Sequence, residues 1–320
     1  MLIAGPNLTI DRTLTIDELR PGEVLRFDDV AVTPGGKGVN VARVARALGV
    51  PATLVGFTPG RTGAAAARLI ADEGLRLESV PTAGELRSTA VVLERSGRVT
   101  VMNEPGPPIG RQDWERYEAA VAARVEAHRV LVCSGSVPPE APSDAYGRLT
   151  TLAARAGIAA IVDAAGSLLG AALESGPAVV APNLAEAEGV LRGRADETVD
   201  TGDPREVRAR AAAAAAELVR RGAQTAIVTA GAAGAAVADG KAVSWHPAPA
   251  AAVRNPIGAG DALVGGVAAA LERGEMLGPA IAAGLATAAA SVETAKAGEV
   301  NPARAAELAA AAAPPKPAGA

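Results

Sequence analysis

The sequence is poor in cysteine, histidine and aromatic residues. Its 320 residues include one cysteine, Cys133, two histidines, His128 and His246, and 2% aromatic residues. A single cysteine excludes an internal disulfide, and two histidines argue against a zinc site of cysteine and histidine ligands. So few rings leave little surface on which nucleic-acid bases could stack. We expect both histidines to be structural, because neither lies in a motif that gives it a chemical role.

Long apolar runs and a large excess of one charge are also absent. Apolar residues make up 49% of the chain, charged residues 21%, and the net charge is −4. No run reaches the roughly eighteen apolar residues that a membrane span needs. The first residues show neither the basic start nor the apolar segment of a signal peptide. The composition therefore predicts a cytoplasmic, globular enzyme without a nucleic-acid or membrane partner.

Short apolar runs alternate with longer helical stretches, which predicts an α/β fold with a mostly parallel sheet covered by helices on both faces. The predicted core strands are residues 2–4, 53–57, 130–133, 159–162, 179–181 and 225–229. The predicted helices are residues 39–48, 62–73, 113–127, 143–156, 204–221, 259–273, 277–292 and 302–312.

Two stretches, residues 13–32 and 86–102, have the pattern of strands without intervening helices. The second turns back at Ser96 and Gly97, as a β-hairpin does. We expect the two stretches to meet as a small β-sheet lid beside the main sheet. Exposed edges and an apolar face on such a sheet favour a homodimer through the lid. The last residues, 311–320, lack an apolar pattern and are predicted to be disordered.

A glycine-flanked turn, NPIGAGDALVGG at residues 255–266, runs directly into an apolar helix. Free backbone N–H groups of Gly258, Ala259 and Gly260 would attract a phosphate, and Asp261 could take a proton from an attacking hydroxyl. The simpler alternative is that Asp261 only interacts favourably with the helix dipole. A dinucleotide site is a poor match because Leu263 replaces the third glycine, and a standard P-loop is absent.

A second glycine-rich segment, TPGGKGVNVARVARALG at residues 33–49, also leads into a helix. Gly35 and Gly36 permit close approach of a ligand to the backbone. Lys37 supplies a positive charge, and Asn40 offers both a donor and an acceptor. The alternative is an ordinary turn before a helix, but three glycines around a lysine exceed what such a turn requires.

Two weaker signals follow predicted strands. In APNLAEAE, Asn183 and Glu186 are three residues apart and share one helix face, where an amide and a carboxylate could hold hydrated Mg²⁺. In VTAGAAGAAV, the glycines Gly231 and Gly234 follow Thr229 at a place where a nucleotide can lie against the backbone.

Together these four segments resemble, in order and spacing, those of the PfkB, or ribokinase-like, carbohydrate kinases, and the resemblance covers nearly the whole chain. It implies a three-layer α/β/α sandwich with a β-sheet lid, as a single kinase domain over residues 1–310. It also implies ATP and Mg²⁺ as cofactors, Asp261 as the catalytic base, and an anion hole formed by the backbone of Gly258, Ala259 and Gly260.

The resemblance further assigns residues to each ligand. Asn183 and Glu186 would organise Mg²⁺. The implied nucleotide-binding residues are Asn183, Thr229, Gly231, Gly234 and Asn255. The implied substrate-binding residues are Asp11, Gly35, Gly36, Lys37, Asn40, Arg87 and Ser136, with Arg26 as a weaker candidate.

Within the family, the lysine of PGGKG is typical of the subgroup that resembles 1-phosphofructokinase and tagatose-6-phosphate kinase. Lys37 and Arg87 would then bind the phosphate that the sugar already carries. The predicted reaction is phosphorylation of fructose 1-phosphate to fructose 1,6-bisphosphate. Tagatose 6-phosphate, fructose 6-phosphate, another sugar or a nucleoside are alternative substrates. An inactive sugar-phosphate sensor is an alternative of another class, since Ala181 and Ile257 replace a frequent lysine and threonine.

Overall fold

The computed structural model describes residues 1–193 and 203–318. The strands within these ranges are β1 (Leu2–Ala4), β2 (Thr9–Ile16), β3 (Asp29–Gly35), β4 (Thr53–Phe57), β5 (Arg76–Val80), β6 (Ser88–Glu94), β7 (Val99–Asn103), β8 (Val130–Ser134), β9 (Ala159–Asp163), β10 (Val179–Val180), β11 (Thr225–Thr229), β12 (Gly234–Asp239), β13 (Val243–Pro247) and β14 (Lys316–Pro317). The α-helices are α1 (Lys37–Ala47), α2 (Gly60–Asp72), α3 (Arg111–Val125), α4 (Ala145–Arg155), α5 (Gly166–Glu174), α6 (Leu184–Arg192), α7 (Pro204–Arg220), α8 (Ala259–Glu272), α9 (Leu277–Ser291) and α10 (Pro302–Ala310).

The larger sheet has ten strands in the order β14-β13-β12-β11-β10-β9-β8-β1-β4-β5. From β11 to β5 the neighbouring strands are parallel, whereas β12, β13 and β14 are added in antiparallel pairs. Strand β8 is buried at every position, as expected for a parallel strand covered on both faces. The mostly parallel sheet of the sequence prediction is confirmed.

Helices cover both faces of this sheet. Successive side chains of a strand point to opposite faces, so a single strand contributes residues to the apolar core on each side. In β1, Leu2 and Ala4 enter one apolar core, which includes Trp114 of α3, while Ile3 enters the other, which includes Val264 of α8. Helices α3 to α7 pack on the first face, and α1, α2, α8 and α9 pack on the second. The three-layer α/β/α arrangement is therefore confirmed.

A separate four-stranded sheet, here called the lid sheet, has the order β3-β2-β6-β7. Its hairpin closes between β6 and β7, where the Glu94 amide donates to the Arg98 carbonyl at 3.0 Å. Its strands differ from the predicted bounds, since β2 begins at Thr9 and β3 ends at Gly35. Pairing of Thr9 with Gly35 extends the sheet into the PGG segment, a cross-strand contact that local sequence does not reveal.

Several elements escaped the sequence analysis. Strand β5 lies at the sheet edge and has polar residues at three of its five positions, and helix α5 begins at a glycine. Strand β12 consists largely of small residues, and β13 contains Trp245 and His246 and ends at Pro247. At the tail, β14 pairs with β13 and Arg208 donates to the Pro317 carbonyl at 2.8 Å, so residues 316 and 317 form a strand that the sequence pattern did not predict. Residues 319–320 of the predicted tail lie outside the described part.

Both histidines lie in structural contacts. His128 Nδ1 is 3.3 Å from Glu272 Oε1, and His246 Nε2 is 3.0 Å from Ser244 Oγ. No helix among the described residues combines the length and apolar character required to cross a lipid bilayer.

Candidate active site

A cavity of about 900 Å³ opens between the lid sheet and the carboxyl ends of the parallel strands. Ligands of open α/β sheets bind at this edge, because the loops and helix N-termini converge there. Twelve predicted site residues line the cavity, namely Asp11, Gly36, Lys37, Asn40, Arg87, Ser136, Asn183, Glu186, Thr229, Gly258, Gly260 and Asp261. The structure thus brings together residues that are up to 250 positions apart in the chain.

Six other predicted residues do not line this cavity: Gly35, Ala259, Gly231, Gly234, Asn255 and the weaker candidate Arg26. Gly231 and Gly234 flank the turn between β11 and β12. Asn255 supports the neighbouring turn with its own side chain, since its Nδ2 donates to the Ala295 carbonyl at 3.0 Å and its Oδ1 accepts from the Ile257 amide at 3.0 Å.

Asp261 lies in the first turn of α8, where its carboxylate is buried beside the start of the helix. Gly258 precedes the helix with a φ of 82°, a conformation that glycine adopts without strain. The first helical hydrogen bond runs from the Ala262 amide to the Gly258 carbonyl at 2.9 Å. The amides of Gly260 and Asp261 therefore precede the helical hydrogen-bond ladder, as an anion-binding helix start requires.

The pKa of Asp261 is raised from 3.8 to about 7. Burial is the largest cause, and the charges of Asp163 and Glu186 act in the same direction. The Lys37 ammonium and a hydrogen bond from Asn40 Nδ2, at 2.7 Å from Asp261 Oδ2, oppose the rise. A carboxylate that titrates near neutral pH suits a general base.

Lys37 forms ion pairs with two carboxylates across the cavity. Its Nζ lies 3.1 Å from Asp163 Oδ1 and 3.4 Å from Glu186 Oε1. Burial works against the Lys37 charge, but the charges of Asp163, Glu186 and Asp261 outweigh burial and raise the pKa of the lysine. Lys37, predicted to bind a substrate phosphate, is therefore held by carboxylates in this structure.

Asp163 is a cavity residue that the sequence analysis missed. It ends β9, and its Oδ2 accepts a hydrogen bond from Ser134 Oγ at 3.2 Å while its Oδ1 meets Lys37. The available signal was a carboxylate directly after a buried parallel strand, since the carboxyl ends of such strands meet at the ligand-binding edge.

Asn183 and Glu186 form a reciprocal capping box at the start of α6. Asn183 Oδ1 accepts from the Glu186 amide, and Glu186 Oε2 accepts from the Asn183 amide, each at 2.9 Å. This pairing stabilises the helix start and fixes the Glu186 carboxylate at the cavity. Among the described residues, no group of three or more His, Cys, Asp and Glu could enclose a metal ion. The donor set fits Mg²⁺ that keeps most of its waters, and not a protein cage.

A second polar group in the cavity lining consists of Arg87, Asn7 and Ser136. Within the described residues, the hydrogen bonds of the Arg87 guanidinium run only to backbone carbonyls, those of Asn7, Leu8 and Glu104. Asn7 Nδ2 also donates to Ser136 Oγ at 2.9 Å. Burial lowers the pKa of Arg87, against the opposing charges of Asp11 and Glu104. Arg87, Asn7 and Ser136 thus combine a cation with neutral hydrogen-bonding groups.

Asp11 lies on β2 and packs directly against Gly35 of the neighbouring strand. A Cβ added at Gly35 would lie 2.0 Å from Asp11 Oδ2, so only glycine leaves room for this carboxylate. Burial raises the pKa of Asp11, although the charges of Arg43 and Arg87 lower it. Among the described residues, Asp11 Oδ1 is buried without a hydrogen-bond partner. Such an acceptor is suited to a hydroxyl group of a ligand.

The family model described as "pfkB family carbohydrate kinase" matches residues 7–304 of the chain. The chain belongs to the pfkB family of carbohydrate kinases. The predicted family, enzyme class and fold are therefore confirmed, and the family implies ATP as the co-substrate.

Individual relatives agree with this membership. A protein named 1-phosphofructokinase from Xanthomonas campestris pv. campestris is 31% identical over 270 residues, which are 83% of this chain and 82% of the relative. The crystal structure of phosphofructokinase-2 from Escherichia coli in complex with potassium is 27% identical, with a TM-score of 0.86 over 97% of this chain and 98% of that chain. Arabidopsis thaliana ribokinase, with ribose and ATP, is 21% identical with a TM-score of 0.72 over 96% and 98%, and shows the shared fold.

Proposed function

We propose that this kinase transfers the γ-phosphoryl group of ATP to the 6-hydroxyl of fructose 1-phosphate and yields fructose 1,6-bisphosphate. The observation that carries the proposal is the position of Asp261, a buried carboxylate at a helix start, in the same cavity as the Arg87 cation. The relative from Xanthomonas campestris bears the name of the same activity.

Asp261 is the proposed general base. Its carboxylate takes the proton from the sugar hydroxyl as that oxygen forms a bond to the γ-phosphorus, and the bond between the γ-phosphorus and the bridging oxygen to the β-phosphate breaks, so that ADP leaves. The amides at Gly258, Ala259 and Gly260 are proposed to stabilise the charge on the transferred group, because phosphoryl transfer depends mainly on positioning and charge stabilisation.

Arg87 is proposed to bind the phosphate that the sugar already carries, together with Asn7 and Ser136. A guanidinium is well suited to this role because it donates two parallel hydrogen bonds to phosphate oxygens. Lys37 is proposed to exchange its contacts with Asp163 and Glu186 for phosphate oxygens when the substrates enter. Asp11 and Asn40 are proposed to bind sugar hydroxyls, with Gly35 and Gly36 giving the sugar access to the backbone.

The nucleotide is proposed to lie beside β11 and the start of α8, against the predicted residues Thr229, Gly231, Gly234 and Asn255. Glu186, which the capping box with Asn183 holds in place, is the proposed partner of hydrated Mg²⁺. When bound, Mg²⁺ would neutralise charge on the nucleotide phosphates.

An ADP-release assay over several acceptors tests the substrate. Fructose 1-phosphate, fructose 6-phosphate, tagatose 6-phosphate, fructose and ribose would be compared at saturating ATP and magnesium. We expect the highest kcat/KM with fructose 1-phosphate. Fructose 6-phosphate is the second candidate, because one structure of the 26% identical Escherichia coli phosphofructokinase-2 is described as a complex with that sugar. Faster turnover of unphosphorylated sugars would contradict both candidates.

An Arg87→Met variant tests the phosphate site. We expect the KM for the sugar phosphate to rise by at least about tenfold, since a charge-assisted contact of about 1.5–3 kcal/mol is lost. The KM for ATP should change little. Equal increases in both values would place Arg87 elsewhere in the reaction.

A homodimer through the lid sheet is a further part of the proposal. Val30, Val32, Val99, Val101 and Met102 are exposed on this sheet. One Escherichia coli phosphofructokinase-2 structure is described as a tetrameric inhibited form. We expect a dimer in analytical ultracentrifugation and a monomer for Val99→Asp, with Val24→Asp, outside the strands, as the control. A monomeric parent protein would contradict this part.

The cytoplasmic location stays a prediction.

A further inference from the structure

Arg43 is a buried cation in the middle of α1, with only 8% of its surface exposed. It does not line the cavity, and the sequence analysis gave it no role. A guanidinium has five N–H donors in a rigid planar arrangement. A buried arginine of this kind requires acceptors for those donors, and their identity shows what the residue holds in place.

The acceptors of Arg43 come from four different segments. Nε and Nη2 donate to the two carboxylate oxygens of Glu73 at 2.6 and 2.9 Å. Nη2 also donates to the Pro34 carbonyl at 2.5 Å, at the end of lid strand β3. Nη1 donates to Asn40 Oδ1 at 2.9 Å and to the Ala297 carbonyl at 3.4 Å. One side chain therefore joins the lid sheet, α1, the end of α2 and the loop after α9.

The loop after α9 also supports the turn before α8. A Cβ added at Gly258 would lie 3.1 Å from the Ala297 Cβ, so this loop packs closely under the proposed anion hole. A Cβ added at Gly298 would lie 2.7 Å from the Asn40 Cα. Arg43 donates to the Ala297 carbonyl and therefore holds the segment, residues 297–298, that makes both contacts.

The contact with Asn40 has a directional consequence. An amide has one oxygen acceptor and one NH₂ donor, and neighbouring groups decide which way it points. Because Arg43 donates to Asn40 Oδ1, the NH₂ of Asn40 must point the other way, where it donates to Asp261 Oδ2 at 2.7 Å. The reversed amide would place its oxygen against the Asp261 carboxylate and its NH₂ against the guanidinium, and both contacts would be unfavourable.

The charge of Arg43 is balanced on the side away from the cavity. Glu73 accepts from Arg43 and also pairs with Lys296 Nζ at 2.5 Å. Burial would raise the pKa of Glu73, but hydrogen bonds from Arg43 and Lys296 lower it. Glu73 and Lys296 hold the far side of the guanidinium, while Asp261 faces Lys37, Asp163 and Glu186 within the cavity.

We infer that Arg43 is a positioning residue for phosphoryl transfer, which fixes the Asn40 amide so that it orients the carboxylate of Asp261. This inference rests on the proposed role of Asp261 as the base. Arg43 itself touches neither the cavity nor the reacting atoms. Lysine cannot replace it, because an ammonium has three donors without the planar geometry that reaches Asn40, Ala297, Pro34 and Glu73 together.

A double-mutant cycle in the full-length protein tests the inference. The variants are Arg43→Lys, Asn40→Ala and the double variant, with kcat and KM measured for the sugar phosphate that the ADP-release assay identifies. Arg43→Lys should lower kcat by about 10- to 100-fold, because a small misplacement of reacting groups costs that much, and should leave the KM for ATP within about twofold. In the Asn40→Ala background the same substitution should change kcat by less than about threefold, because the amide through which Arg43 acts is absent.

Arg46→Lys is the matched control, since Arg46 is an exposed arginine in the last turn of the same helix. It should keep the parent kcat. Arg43→Gln is the second variant if the lysine variant does not fold, and it should lose kcat in the same way. Thermal unfolding of each variant shows whether the fold is retained.

Equal losses of kcat in both backgrounds would overturn the inference, because Arg43 would then act independently of Asn40. A parent-like kcat in Arg43→Lys would also overturn it, as would failure of both Arg43 variants to fold, which would make the residue purely structural. Asp261→Asn separates the two proposals. If Asp261→Asn keeps its turnover, the proposed base is wrong; if it is inactive while Arg43→Lys is fully active, only the present inference fails.

Discussion

Replacing Asp261 with asparagine should stabilise the protein at alkaline pH while it removes activity. The pKa of this carboxylate is raised from 3.8 to about 7, chiefly by burial. The folded state therefore favours the protonated form, and the ionised form, which is the proposed base, is held at a cost in stability. Asparagine has nearly the same shape, is neutral at every pH, and can accept the hydrogen bond from Asn40 through its own oxygen.

The size of the effect follows from the pKa. Below pH 3.8 the carboxyl group is neutral in both the folded and the unfolded state and contributes nothing. Between pH 3.8 and about 7 the unfolded state ionises first, so the fold loses stability as the pH rises, and above pH 7 the loss is constant. At about 1.4 kcal/mol per pH unit, the full loss is on the order of 4 kcal/mol, of which roughly half is present at pH 5.5.

Urea unfolding of the parent protein and of Asp261→Asn at pH 5.5 and 8.5 measures this difference directly. The variant should be more stable at both pH values, by a margin that is about 2 kcal/mol larger at pH 8.5. Its kcat should fall by about 10²- to 10⁴-fold, the usual contribution of a general base. Asp144→Asn makes the same chemical change at an exposed carboxylate and serves as the control. A variant with parent stability at pH 8.5, or with near-normal turnover, would refute the reasoning.

Three further outcomes follow from the same geometry. In the pH profile of kcat, activity should fall as the pH is lowered through about 7, because protonated Asp261 cannot accept a proton; a flat profile down to pH 5 would contradict this. Lys37→Met should move that fall to higher pH, since the ammonium lowers the pKa of Asp261, whereas an unmoved profile would exclude the coupling. Gly35→Ala should raise the sugar-phosphate KM by about tenfold or more, because its Cβ would displace Asp11, and Gly110→Ala, where a Cβ meets nothing within 4 Å, is the control. Equal KM values in the two alanine variants would show that Asp11 does not bind the sugar.

The local patterns that predicted the site are those whose chemistry lies within a few residues. The segment from Gly258 to Asp261 combines a helix start, small residues and a carboxylate, so its place at the cavity could be read directly. The same holds for Lys37 and Asn40, which open α1 at the cavity. Short apolar runs likewise predicted the central strands, because buried parallel strands are nearly continuous apolar runs, and the longer helical stretches between them predicted most helices.

The roles of three other polar residues, Asn183, Glu186 and Asn255, could not be decided from the sequence alone. Asn183 and Glu186 were predicted as magnesium ligands, which stays a prediction, and the structure shows that they cap each other at the start of α6. Asn255 was predicted beside the nucleotide, and its side chain supports the turn before α8. In both cases a polar side chain has a backbone partner within three residues. The Asn-x-x-Glu spacing is itself typical of a capping box, but the spacing does not show whether the side chains serve the helix start or a ligand.

The sequence by itself determined the chemical parts of this kinase: the two glycine segments, the proposed base and the cations, in an order that marks the family. Only the tertiary structure decided how they are joined. Lys37 meets Asp163 across 126 positions, and Asn40 meets Asp261 across 221. Arg43, a buried residue of α1, connects four segments of the chain. The physical reason is that the orientation and pKa of a buried polar group depend on which distant groups share its low-dielectric surroundings, and the chain fold alone selects them.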